Sequence, residues 1–240
     1  MTTPGDHHRD EHVHRDVQGG FARAAVFGAS DGLVTNLSLI LGMAGAHPAA
    51  GVVRLAGLAG LVAGAFSMAA GEYVSMRAQT ELFERELALE RKSISDRPEV
   101  ERRELVKLYE GRGIDPELAR ALAGEMMRTP ELALETHARE ELGIDPGALG
   151  SPNKASLSSF AMFGMGALLP LLPWLLAGGT GAIVASVILG TLGSLGIGAA
   201  LAYFTKKTWW RSALRQLLIS TVAAGVTFGV GALVGTTVHH

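Results

Sequence analysis

The chain has 240 residues and no cysteine, which excludes both a disulfide framework and a thiolate metal site. It is 48% hydrophobic and only 18% charged, against roughly 25% charged in an ordinary soluble domain. A net charge of −2 without a basic stripe to neutralise phosphates argues against a nucleic-acid partner.

Charge is segregated along the chain. Of the 23 acidic residues, 17 lie between Arg77 and Lys154, and none follows Asp145. The opening MTTPGDHHRDEHVHRD lacks the apolar core of a signal peptide, so the first apolar stretch is expected to persist as an uncleaved anchor. His7, His8, His12 and His14 make this region a His-rich tail, either capturing metal or simply disordered and weakly binding.

Five apolar stretches approach or exceed the roughly 20 helical residues needed to cross a hydrocarbon core. They run over about 21–46, 51–76, 157–177, 180–204 and 214–238. The third contains Pro170 and Pro173, which predict a kink or an early end. Small residues recur four apart in the fifth, at Gly225–Gly229 and Gly231–Gly235, and Gly57, Gly60 and Gly64 line the second. Such spacing either permits close helix packing in lipid or reflects the general frequency of glycine there.

Basic residues set the expected orientation. One, Arg54, lies between the first two spans, and none lies between the third and fourth. The segment joining spans two and three holds 13, and Lys206, Lys207, Arg211 and Arg215 precede span five. The positive-inside rule then puts the N-terminus and the long insert in the cytosol and the C-terminus outside or in a lumen.

Within the insert, ELFERELALERKSI reads as a continuation of span two. DRPEVERRELVKLYEGRG is expected to start at an Asp96 cap, DPELARALAGEMMRT at Asp115, and PELALETHAREELG to end at Gly143. This is a helical unit of about 75 residues with little apolar surface of its own.

Asp31 and Glu72 are the two acidic residues within the spans. A carboxylate at depth costs roughly 2.5–3.5 kcal/mol on insertion scales, which makes each a functional candidate. Met68, Glu72 and Met76 are spaced by four and share a helical face. A carboxylate between thioethers suits a softer divalent ion such as Fe²⁺ better than Mg²⁺ or Ca²⁺. The plainer alternative is apolar filler around a snorkelling Glu72. In the insert, Glu86 and Glu90 are like charges one turn apart, as are Glu101 and Glu104, and Glu131 and Glu135; Met126 and Met127 follow Glu125. Such clusters hold cations or simply form a solvated face.

FGASDGLVTNLSLILGMAGA and GAFSMAAGEYVSMRAQTE, with the charged helix that follows, resemble the vacuolar iron transporter family and its nodulin-like and bacterial relatives. The likeness covers about 20–238. It implies an all-α membrane protein of five transmembrane helices, with a cytosolic helical metal-binding insert between helices 2 and 3. The division is 1–20 tail, 21–76 helices 1–2, 77–154 insert and 155–240 helices 3–5. It also implies a homodimer whose ion path runs between the first helices of two subunits.

Asp31 and Met68 match the family's intramembrane ligands. Glu90, Glu101, Glu104, Met126 and Met127 match its insert ligands, as does Glu131 with a one-residue gap. Two departures stand out: Gly60 replaces a glutamate two turns before Met68, with Glu72 one turn after it instead, and Ser93 replaces a glutamate after Glu90.

The expected function is export of Fe²⁺, or Mn²⁺, in exchange for protons, from the cytosol across a bacterial cytoplasmic membrane or, in eukaryotic relatives, into the vacuole. A membrane-anchored metal buffer or sensor is the alternative. An intramembrane hydrolase is disfavoured because the spans lack a Ser–His pair or an HExxH motif.

Overall fold

The computed structural model of the protein describes residues 21–148 and 150–238. The His-rich tail therefore lies outside the described residues. Helices follow in the order α1 (Phe21–Gly45), α2 (Ala50–Asp96), α3 (Pro98–Gly111), α4 (Pro116–Met126) and α5 (Pro130–Glu140). A short 3₁₀ turn then leads to α6 (Pro152–Leu176), α7 (Gly179–Thr205) and α8 (Trp209–Val238). Among the described residues, five helices are long and apolar enough to cross a membrane: α1, α2, α6, α7 and α8.

The central element is α1, which packs against α2, α6, α7 and α8. Its most extensive contact is with α6, where two glycines face backbone. A Cβ on Gly32 would drive into the Phe163 carbonyl, and one on Gly166 into the Ala29 carbonyl. Gly231 meets Gly42 in the same way where α8 crosses α1. Of the glycines expected to pack, Gly57, Gly64, Gly231 and Gly235 are tightly faced, whereas Gly225 and Gly229 have nothing within 4 Å.

Small polar side chains link the apolar helices. Gln216 Nε2 donates to Ser30 Oγ at 2.8 Å, Thr227 Oγ1 to the Ser38 carbonyl at 2.9 Å, and Ser156 Oγ to the Ala69 carbonyl at 2.8 Å. Ser194 and Ser220 join α7 to α8 at 2.8 Å. Interhelical bonds of this kind average about 0.6 kcal/mol each in a membrane protein.

Of the two expected outcomes at the proline pair, a kink or an early end, the early end does not occur: the helix runs through Pro170 and Pro173 to Leu176. Neighbours furnish donors along this stretch. Asn36 Nδ2 donates to the Ala167 carbonyl and Ser186 Oγ to that of Pro170, each at 2.7 Å. Proline is tolerated in a membrane helix where such partners satisfy backbone groups.

The insert is helical, with α2 continuing well past Met76. Asp115 caps α4 by accepting from the Glu117 and Leu118 amides. Asp96, however, is the last residue of α2; α3 starts after Arg97 with no side-chain cap. Proline at the first position, which has no N–H to satisfy, supplies the start instead. Arg211 and Arg215 also lie on α8 rather than in the turn before it. Leu105, Tyr109, Ala119 and Ala123 form a small core between α3 and α4.

Candidate functional site

Asp31 lies on a stripe of α1 that the other helices leave uncovered. Arg23, Phe27 and Thr35 are exposed at intervals of four, and Asp31 between them is half-buried. Its carboxylate accepts from Thr35 Oγ1 at 3.2 Å, one turn along its own helix. Among the described residues no basic side chain pairs with it.

Glu72 is held differently. Its helical face turns inward, so that Met76 packs against Ala24 and Ala155, and Met68 against the Ala65–Phe163–Ala167 cluster. Glu72 is 9% exposed and forms an ion pair with Arg23 at 2.7 Å, joining α2 to the start of α1. The shared face of Met68, Glu72 and Met76 is thus real, and it is also packed. At Gly60, where the resemblance leads one to expect a glutamate, a Cβ would stand 2.9 Å from Asn36 Oδ1. Asn36 and Leu39 already fill that space.

In the insert, Glu90 on α2, Glu101 on α3 and His137 on α5 each offer a ligand atom, all within 4.8 Å of one another. Among the described residues this is the one group of three histidine or acidic side chains so arranged. His137 is fully buried and Glu101 is 5% exposed. His137 Nδ1 lies 3.2 Å from Glu90 Oε1 and 3.3 Å from Glu141 Oε1. Neither ring nitrogen is aligned for a hydrogen bond, and Glu90 Oε1 also lacks one.

Burial pushes the Glu90 carboxyl above its ordinary range; Glu101, Glu141 and Glu104 add to this and His137 opposes it. Burial likewise raises Glu101, with Glu104 and Glu141 adding and His137 and Arg97 opposing. The protein alone therefore holds these carboxylates in a place that disfavours their charge, and a cation would relieve it.

The other expected ligands are placed less centrally. Glu86 is half-buried, and Glu104 and Glu131 are exposed. Met126 and Met127 pack against the α3–α4 core, and Met126 Sδ accepts from Thr136 Oγ1 at 3.6 Å. The structure thus brings together Glu90 and Glu101, with Glu104 close enough to influence both. It does not gather Glu86, Glu131 or the methionine pair into the same trio.

His137 is absent from the sequence-based ligand set. Its signal lay in the pattern of α5, where Ala133, Thr136 and Ala138 share its burial and Glu141 follows one turn later.

Fold and site together define an integral membrane protein of five spans with a carboxylate-rich helical insert. The profile of the VIT family matches residues 22–232, and the chain belongs to that family. Vacuolar iron transporter 1 of Eucalyptus grandis is 31% identical over 229 residues, covering 94% of this chain and 90% of that protein. Vacuolar iron transporter 1 of Arabidopsis thaliana is 30% identical over 227 residues, covering 93% and 88%. The vacuolar iron transporter of Acanthamoeba castellanii is 36% identical over 234 residues, covering 93% and 83%. These relatives are transporters, not enzymes.

Proposed function

We propose that the chain is a divalent metal/proton antiporter that exports Fe²⁺, with Mn²⁺ as a second cargo, from the cytosol as a homodimer joined through α1. The names of the relatives support iron as cargo. The observation that carries the reading is Asp31, half-buried on the uncovered stripe of the most enclosed membrane helix. Facing lipid, that carboxylate would cost a few kcal/mol. A second copy packed against the stripe removes it from lipid and sets two Asp31 carboxylates in one cavity.

Two such carboxylates balance one divalent cation or two protons, so exchanging one for the other leaves the site without net charge. A ligand that must be ionised to hold metal releases it when protonated. The insert carboxylates, Glu90 and Glu101 foremost, collect the ion from the cytosol. Glu72 joins the path by exchanging its exposed partner Arg23 for the cation, and Met68 follows on the same face.

The test is Fe²⁺ uptake and lumenal pH in proteoliposomes bearing a pH gradient, with Mn²⁺, Co²⁺ and Zn²⁺ as competitors. Asp31→Asn is expected to abolish metal-dependent proton movement while leaving metal binding by the insert intact; undiminished flux would reject the role of Asp31. Tight binding without flux in the unmodified protein would instead select the buffer or sensor reading.

A further inference from the structure

The family resemblance accounts for carboxylates and thioethers in the insert, but not for an imidazole buried among them. His137 is fully buried, with neither ring nitrogen hydrogen-bonded. A buried polar atom without a partner costs about 1–3 kcal/mol, and this ring holds two. Its neighbours are oxygens of Glu90 and Glu141 at 3.2 and 3.3 Å, close enough to bond yet out of line for it. Two donors on one metal, each with a bond of about 2.1 Å and at right angles, stand roughly 3 Å apart. The close but unaligned approach of Nδ1 and Glu90 Oε1 is that of two ligands converging on a point between them.

We propose that His137, through Nδ1, is the nitrogen ligand of a mixed nitrogen–oxygen divalent-metal site completed by Glu90 and Glu101. This rests on the reading of the insert as a metal collector and adds to it a donor that the family pattern lacks. Three consequences follow from the placement.

The donors come from three helices, α2, α3 and α5, so a bound ion ties α5 to the extension of α2. The main apolar core of the insert lies between α3 and α4, so this polar cluster is a large part of what joins α5 to α2, beside buried Ala133 and Ala138. An imidazole also changes what the site selects. Nitrogen suits first-row transition ions and is a poor match for Mg²⁺ or Ca²⁺, and affinity rises from Mn²⁺ through Fe²⁺ to Co²⁺. Finally, the chain has Ser93 where the resemblance leads one to expect another glutamate, so a neutral nitrogen adds a donor without adding charge.

The experiment is pulsed EPR of the full chain in detergent, loaded with one equivalent of Mn²⁺. Of the eight histidines, His7, His8, His12, His14, His239 and His240 are replaced by alanine, leaving His47 and His137. The spectrum is expected to show ¹⁴N coupling that converts to ¹⁵N on growth with labelled histidine, a result that depends on no substitution in the site. His47→Gln should keep the coupling and His137→Gln should lose it. In titrations, His137→Gln should weaken Fe²⁺ and Co²⁺ by tenfold or more, because loss of even an outer-shell partner of a ligand costs about 10–100-fold.

Absence of nitrogen coupling in the labelled parent, or its survival in His137→Gln, would overturn the proposal. Flux separates the two readings. A nitrogen-coupled site without transport defeats only the antiporter, and transport without nitrogen coupling defeats only the role of His137.

Discussion

Glu72 and Glu101 are buried to a similar degree, at 9% and 5% exposure, but of the two only Glu72 forms an ion pair with a guanidinium. Removing that partner leaves a carboxylate buried and unpaired. Arg23→Ala is therefore expected to cost about 1–3 kcal/mol of stability, read as a lower melting point in detergent, with Arg23→Lys milder. Glu101 presents the reverse case. The carboxyls of Glu90 and Glu101 are raised above their ordinary 4.5, so the folded metal-free insert binds protons more readily than the unfolded chain. The stability they contribute is fully present below about pH 4.5 and is lost as pH rises through their raised folded-state range.

Melting of the metal-free protein should accordingly fall between mild acid and neutrality, and divalent metal should restore it. Glu101→Gln should flatten that pH dependence and raise the metal-free stability at pH 7 by about 0.5–2 kcal/mol, while weakening metal binding. A lower melting point in this variant would show that Glu101 stabilises the insert and does not strain it. At this scale the sequence displayed the acids but not their burial. Spacing puts Glu101 and Glu104 one turn apart, yet only the packing of α3 within the insert decides that Glu101 is enclosed and Glu104 exposed. His137 carried little signal for the same reason: its partners lie 47 and 36 positions earlier in the chain.

At the scale of helices, close approach rests on glycine at a few crossings. Gly32→Ala places a methyl group against the Phe163 backbone carbonyl, which no side-chain rotation relieves. Separating α1 from α6 should cost about 1–3 kcal/mol. Gly229→Ala, in the same class of motif but with nothing within 4 Å, should stay within about 0.5 kcal/mol of the parent. Equal melting points for the two variants would remove the packing role assigned to Gly32.

Apolar length was enough to read the five spans, because a membrane helix satisfies its backbone internally. Whether α6 would end early at its prolines was not legible. Donors that reach this stretch, Asn36 to the Ala167 carbonyl and Ser186 to that of Pro170, lie on other helices and cannot be read from the local sequence. The Asp96 cap failed for a related reason. The unbroken helical run of α2 extends to Asp96 itself and leaves α3 to begin at Pro98.

Across the whole molecule, alternation of the spans sets the insert and the α7–α8 turn on one side and the α1–α2 and α6–α7 turns on the other. The absence of cysteine makes this directly measurable. Single cysteines replacing Glu110 or Lys207, both exposed, should react with an impermeant maleimide in inside-out vesicles. One replacing exposed Ala49 should react in right-side-out vesicles. Labelling of Glu110→Cys and Lys207→Cys from opposite faces would break the five-span topology.

The sequence by itself determined the membrane class, the number of spans, the helical insert and the family, because these depend on apolar length, charge segregation and local motifs. Tertiary structure alone decided which carboxylates are enclosed, that Glu72 is tied to Arg23, that Asp31 lies on an uncovered stripe, and that an imidazole joins Glu90 and Glu101. Those outcomes turn on contacts between residues far apart in the chain, where burial and partner geometry, not residue type, set the energy of a charge.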